Sequence, residues 1–257
     1  MESKRMPALF IGHGSPMNAI EDNEFNRGWA AAARDLPCPK AILCVSAHWE
    51  TRGCFVTAEE TPRTIHDFGG FPRALYEMQY PAPGQPELAA RIAQLAPAAS
   101  VQPATNWGLD HGTWSVLCRM YPQADIPVVQ LSLDRSQPPD FHYKLGRQLN
   151  ALRDEGVLIV GSGNIVHNLR LMVWEDAAFD WVVEFDTQAR DWMLADNHES
   201  LIHYEALGRS AALAINSAEH YLPLLYILGL KQKDDALSFF NEKLWGGSLS
   251  MRCVKVG

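Results

Sequence analysis

The chain has 257 residues, 47% hydrophobic and 20% charged, enough apolar material for a sizeable core. With no Ser/Gly-rich, low-complexity or charged linker to divide it, residues 1–257 are expected to form one domain. A formal net charge of -8 argues against nucleic acid or an anionic membrane as partner, since both recruit clustered Lys and Arg, and no apolar run has the length to cross a bilayer.

Met1–Pro7 has no signal-peptide pattern, and the five cysteines are odd in number and form no C-x-x-C pair. Small buried thiols in a reducing cytoplasm are the expectation. The apolar run from Ala8 reads as a core strand that stops at His13, held between Gly12 and Gly14 and followed by the turn-forming Ser15-Pro16. Glu21–Asn23 reads as a helix start, with Phe25, Trp29 and Ala32-Ala33 at helical spacing until Leu36-Pro37. Ala41–Trp49 is a second apolar strand and again ends at a histidine, His48. Continuous rather than alternating hydrophobicity describes strands covered on both faces. The fold class that follows is α/β, a central mixed, largely parallel sheet flanked by helices. Such sheets build sites at the carboxyl ends of their strands, where His13 and His48 both fall.

Cys54–Thr57 is a short strand leading into an irregular stretch, Thr61–Gly84, rich in Gly, Pro and aromatic residues and read as an ordered functional loop. Within it His66-Asp67 is either a site pair or an internal pin of the loop, with equal weight on each. Pro86–Ala96 reads as an amphipathic helix. His111 then stands beside Gly112 at the mouth of a helix over Thr113–Tyr121, a position that suits hydrogen bonding to a substrate, although capping alone would also place it there. Ile126–Leu133 is the third long strand, and the helix from Pro139 to Leu152 carries His142, expected to be solvated. Val157–Asn164 is the fourth strand, ending in glycines, with His167 close behind. Phe179–Tyr204 is mostly helical, with Trp181, Phe185 and Trp192 as a core stripe and His198 and His203 on the surface. Ser217 is expected to cap a helix over Tyr221–Gly229, placing His220 at its boundary, and Gly246–Val254 reads as a final strand.

No H-E-x-x-H, Walker loop, Rossmann glycine fingerprint or G-x-S-x-G elbow is present, and a serine nucleophile at Ser15 or Ser162 has little support. Dispersed histidines that converge only through the fold are better explained as a metal centre, because neutral imidazole suits Zn, Fe, Ni and Cu. The Thr61–Gly84 loop and Trp107–Trp114 are the expected walls for a planar ring.

Taken together, Leu9–Met17, Ser46–Trp49, Thr64–Pro72, Asp110–Trp114, Gly161–Asn168 and Glu219–Pro223 resemble the motifs of the class III (LigB-type) extradiol ring-cleavage dioxygenases, most closely the 4,5-DOPA extradiol dioxygenase branch. The resemblance covers nearly the whole chain. It implies a mononuclear metal, with a catechol such as DOPA and O₂ as substrates. His13 and His48 match the two metal histidines, and His220 matches the third ligand, a glutamate in protocatechuate-type relatives. His167 matches the acid–base histidine and His111 a substrate-pocket histidine. Fe(II) is the ion the activity requires. With His167 as a fourth ligand the site would close around Zn²⁺, so zinc is the ion to look for in purified protein. Glu219 is an alternative carboxylate ligand. A zinc hydrolase and a non-catalytic interaction protein that keeps the pocket are the rival readings, and the oligomeric state is left open.

Overall fold

In the four long strands, neighbouring side chains point into two different cores. Ala8 and Phe10, Leu43 and Val45, and Val157 and Ile159 pack on one face of the sheet, whereas Leu9 and Ile11, Ile42 and Cys44, and Leu158 and Val160 pack on the other. This is the physical reason for the unbroken hydrophobic runs: both faces are covered, and each fully buried Leu, Ile or Val stabilises by about 1.5–3 kcal/mol. The computed structural model describes residues 5–257. Residues 1–4, part of the Met1–Pro7 stretch searched above for a signal-peptide pattern, lie outside that range.

In chain order the elements are β1 (Ala8–Gly12), α1 (Glu24–Arg34), β2 (Ala41–Thr51), β3 (Phe55–Thr57), α2 (Arg73–Tyr76), α3 (Pro86–Leu95), β4 (Gln102–Ala104), α4 (His111–Met120) and β5 (Val128–Asp134). There follow α5 (Pro139–Gln148), α6 (Ala151–Asp154), β6 (Val157–Gly163), α7 (Asp180–Leu194), α8 (His198–Ile202), α9 (Arg209–Ala214) and α10 (Leu222–Gly229). The chain closes with β7 (Leu237–Phe240), β8 (Leu244–Trp245), β9 (Leu249–Ser250) and β10 (Cys253–Val256). The main sheet has the order β4-β3-β5-β2-β6-β1-β10-β7. Its centre, β5-β2-β6-β1, is parallel throughout, and antiparallel pairing is confined to β3 with β5 and to the β1-β10-β7 edge. β6 therefore lies between β1 and β2, and the carboxyl ends of all three strands open at one place.

Several elements depart from the sequence reading. β2 does not end at His48 but runs on to Thr51. Its pairing with β5 jumps from Val45↔Leu131 to Glu50↔Leu133, so five steps on β2 span two on β5, and the extra residues bulge out with His48 among them. The final strand is broken into β9 and β10, and β7, paired with β10, is only four residues long, too short to be recognised alone. Ser217 does not cap α10, whose N-cap is Tyr221; its hydroxyl donates to Glu219 instead. His142 is fully buried, not solvated, with its Nδ1 3.1 Å from the Tyr226 hydroxyl, because α5 packs that face against α10. His198 is also largely covered and sits 2.9 Å from the Tyr143 hydroxyl, whereas His203 is exposed. Of the apolar stripe on α7, Phe185 is core, while Trp181 and Trp192 are half-buried against it.

Candidate metal centre

His13 leaves the end of β1 with its backbone N–H donating to Gly163 O at 3.0 Å, which ties it to the end of β6. The next residue, Gly14, turns at φ +59, and a Cβ there would lie 2.7 Å from Met251 Sδ. The His13 Nδ1 lies 3.0 Å from Ser162 Oγ. The Ser162 hydroxyl has one proton and donates it to Gly112 O at 2.5 Å, so towards His13 it can only accept. His13 is thus held as the Nδ1–H tautomer, with a bare lone pair on Nε2 facing away from the sheet.

His220 reaches the same place from the other side. Gly163 has no side chain, and a Cβ there would stand 2.1 Å from His220 O. The absence of that atom lets the segment before α10 lie directly on β6, where Asn164 N donates to His220 O at 2.9 Å. The His220 Nδ1 donates to Glu219 Oε1 at 3.0 Å, which again leaves Nε2 bare. Glu219, considered from the sequence as a ligand, is in this geometry the partner of one. His48, turned inward by the bulge, places its Nε2 3.2 Å from His13 Nε2. The three ring nitrogens of His13, His48 and His220 lie within 4.8 Å of one another. Two nitrogens each about 2.1 Å from one ion are separated by about 3.0–3.4 Å for octahedral to tetrahedral angles, the spacing that His13 and His48 already have.

His167 stacks on His220 with ring centroids 3.4 Å apart and planes 8° from parallel, fixed by a backbone N–H to Ala214 O at 3.0 Å. Its ring nitrogen groups with Glu219 and His220 rather than with His13 and His48. His111 is the first residue of α4, capped by Asp110, and its ring centroid is 3.8 Å from that of His48. Gly112 makes this approach possible, since a Cβ there would lie 2.4 Å from Ser46 Oγ and 2.9 Å from His48 Cδ2, too close for either. The pair His66-Asp67 is split: His66 Nε2 meets Met78 O at 2.9 Å, whereas Asp67 turns to His111.

Burial and mutual repulsion keep the imidazoles of His13, His48, His167 and His220 uncharged. Burial, reinforced by the neighbouring rings, holds His13 and His220 well below the ordinary histidine range. Burial and then His111 bring His48 down to about 3 against the pull of Asp67, and burial brings His167 down to about 4 against the pull of Glu219. Neutral imidazole is the form a metal ion requires. A cavity of about 340 Å³ opens onto these rings, walled by Phe68, Phe71, Leu169, Met172, Trp174 and Trp245. The Thr61–Gly84 loop thus contributes to the wall as expected, but Trp107 and Trp114 do not. Trp107 stacks on Trp49, and Trp114 is buried with its Nε1 donating to Ile65 O. Sequence reasoning missed the contributions of Met172, Trp174 and Trp245, which come from loops with no motif, and the tautomer-setting role of Ser162, which nothing in its local sequence signals.

An open α/β sheet whose strand ends gather histidines around an aromatic-walled cavity has the build of a metal-dependent enzyme, and the family match specifies its class. The chain belongs to the LigB family: the model for the catalytic LigB subunit of aromatic ring-opening dioxygenase matches residues 7–249. It is an extradiol aromatic ring-opening dioxygenase by that membership. Similar proteins named 4,5-DOPA dioxygenase extradiol include one from Escherichia coli (strain K12), 49% identical over 100% of this chain and 97% of that protein, and one from Beta vulgaris, 39% identical over 96% and 95%. A crystal structure of an uncharacterized protein from Escherichia coli K12 superposes with a TM-score of 0.86 at 44% identity, covering 98% of this chain and 100% of that one. Family membership favours ring opening over the hydrolase and non-catalytic readings.

Proposed function

We propose that residues 1–257 form one catalytic domain that opens the ring of a catechol such as DOPA with O₂, both oxygen atoms entering the product as the bond beside the two hydroxyls breaks. The observation that carries this reading is the pair of bare Nε2 lone pairs on His13 and His220, aimed with His48 at one point on the cavity floor. His13, His48 and His220 would hold the ion. Bound there, Fe(II) would supply open coordination positions and redox chemistry, which Zn²⁺ lacks; zinc is the competitor expected in purified protein. Among the described residues no Lys or Arg lines the cavity, so a carboxylate directly on the ring would be buried without a partner. DOPA avoids that cost by carrying its charged groups on a side chain that can reach the mouth. Phe68, Phe71 and Trp174 exclude water from the ring, and His111 meets a ring hydroxyl. His167, uncharged at neutral pH and stacked beside His220, takes a hydroxyl proton and returns it during ring opening. Among the described residues no helix is long and apolar enough to cross a membrane, in keeping with a small-molecule enzyme of the cytoplasm.

The test is anaerobic reconstitution with Fe²⁺, followed by O₂ uptake and product absorbance over a panel of catechols that includes DOPA. Stoichiometric O₂ uptake with a ring-cleavage chromophore is expected. In the same assay His167→Ala should retain iron and bind catechol but turn over about 10²–10⁴-fold more slowly. Parallel loss of iron would make His167 an obligate ligand and remove it from proton transfer.

A further inference from the structure

Asp67 grips His111 at two points. Its Oδ1 accepts the His111 backbone N–H at 2.9 Å, and its Oδ2 accepts the ring Nδ1–H, also at 2.9 Å. The carboxylate has no proton to give. An acceptor-only partner at Nδ1 leaves one neutral tautomer, in which Nε2 has no proton. His111 is buried and lines the catechol-sized cavity, so the bare nitrogen belongs to the part of the ring that Asp67 does not hold. Asp67 itself comes from the Thr61–Gly84 loop, one residue before the wall residue Phe68, whose ring stands edge-on to His111 at 5.5 Å and 82°.

We infer that Asp67 is a positioning residue: it locks His111 as a hydrogen-bond acceptor, so that the ring-hydroxyl substrate is oriented by donating to His111 Nε2. The same clamp links the loop that walls the cavity to the helix that carries the histidine, so orientation of the substrate and closure of the wall depend on one carboxylate. This inference rests on the proposed catechol reading for the identity of the donor, but the tautomer it requires does not.

Asp67→Asn separates the two. An amide can keep the backbone contact only by pointing its oxygen at His111 N, which turns its NH₂ towards Nδ1. The ring must then accept at Nδ1 and carry its proton on Nε2. The experiment is ¹⁵N NMR of histidine-labelled, full-length protein loaded with diamagnetic zinc, with the His111 signals assigned by their loss in His111→Gln. Wild type should show a protonated Nδ1 and an unprotonated Nε2, and Asp67→Asn should show the reverse. In the iron-loaded enzyme, kcat for the best catechol of the panel should fall about 10²-fold, the scale of a misoriented reacting group, with KM changed far less and iron content unchanged. A wild-type spectrum with the proton on Nε2 overturns the inference, whether or not the variant folds. A variant that folds and keeps the wild-type tautomer, or one that flips the tautomer at unchanged kcat, overturns it equally. Absence of ring-cleaving activity in wild type, with the tautomer as stated, would count against the catechol reading and leave the Asp67–His111 clamp standing.

Discussion

Gly163→Ala tests whether backbone contact between β6 and the segment before α10 is what places His220. The added methyl would stand 2.1 Å from His220 O, a gap that has to open to the 3.4 Å of ordinary contact, a shift of about 1.3 Å. The obstacle is backbone rather than the end of a flexible side chain, and the same movement stretches the Asn164 N–H bond to His220 O from 2.9 Å. Overpacking of this kind costs about 1–3 kcal/mol. At about 2–4 °C per kcal/mol for a chain of this size, the melting temperature should fall by about 2–12 °C. The larger effect should be on metal. Ligand distances tolerate about 0.2 Å, several-fold less than the displacement, so His220 should be lost as a ligand. Zinc affinity, read by competition with a chromophoric chelator at neutral pH, should drop far more than the melting point implies, with the folded spectrum intact. Wild-type zinc affinity in a folded Gly163→Ala protein would refute the account of how the third histidine is set.

Glu219→Ala removes the acceptor that orients His220 Nδ1 and should weaken zinc binding about 10–100-fold in the same titration, and unchanged affinity would show that the contact is incidental. His142 gives the metal-free fold an acid sensitivity of its own. Burial brings its pKa down to about 4, against 6.5 in the unfolded chain, so between these values the unfolded state takes up a proton that the folded state refuses. Its stabilising contribution is complete above pH 6.5 and is lost as pH falls to about 4, by about 3 kcal/mol in all. Urea unfolding across that range should show a shallower pH dependence for His142→Gln than for wild type, and parallel curves would exclude His142 as a source.

The α/β class, the four long strands and the placement of His13, His111, His167 and His220 close to element ends were legible because hydrophobic runs, glycines and histidines are local features, whereas His48 lies inside β2 rather than at its end. The failures were of a different kind. His142 and His198 look like surface histidines on amphipathic helices, and only packing against Tyr226 and Tyr143 covers them. The His66-Asp67 doublet was open to two readings, a site pair or a pin of the loop, and the structure divides it, with His66 pinning the loop at Met78 O, 12 residues on, and Asp67 reaching His111, 44 residues on. The bulge that admits His48 appears only when β2 is laid beside β5.

By itself the sequence determined which residue types were available and in what order, because strand burial and glycine turns depend on neighbours along the chain. It also identified the family, because the ordered set of histidine motifs runs through nearly the whole length. Only the tertiary structure decided which imidazole nitrogen is free. That depends on Ser162 having already given its proton to Gly112 O, on Glu219 and Asp67 having none to give, and on Gly163 and Gly112 leaving room for backbones to meet. A tautomer is set by a partner's hydrogen-bonding capacity at about 3 Å, and no pattern in one dimension records which distant residues come within that distance.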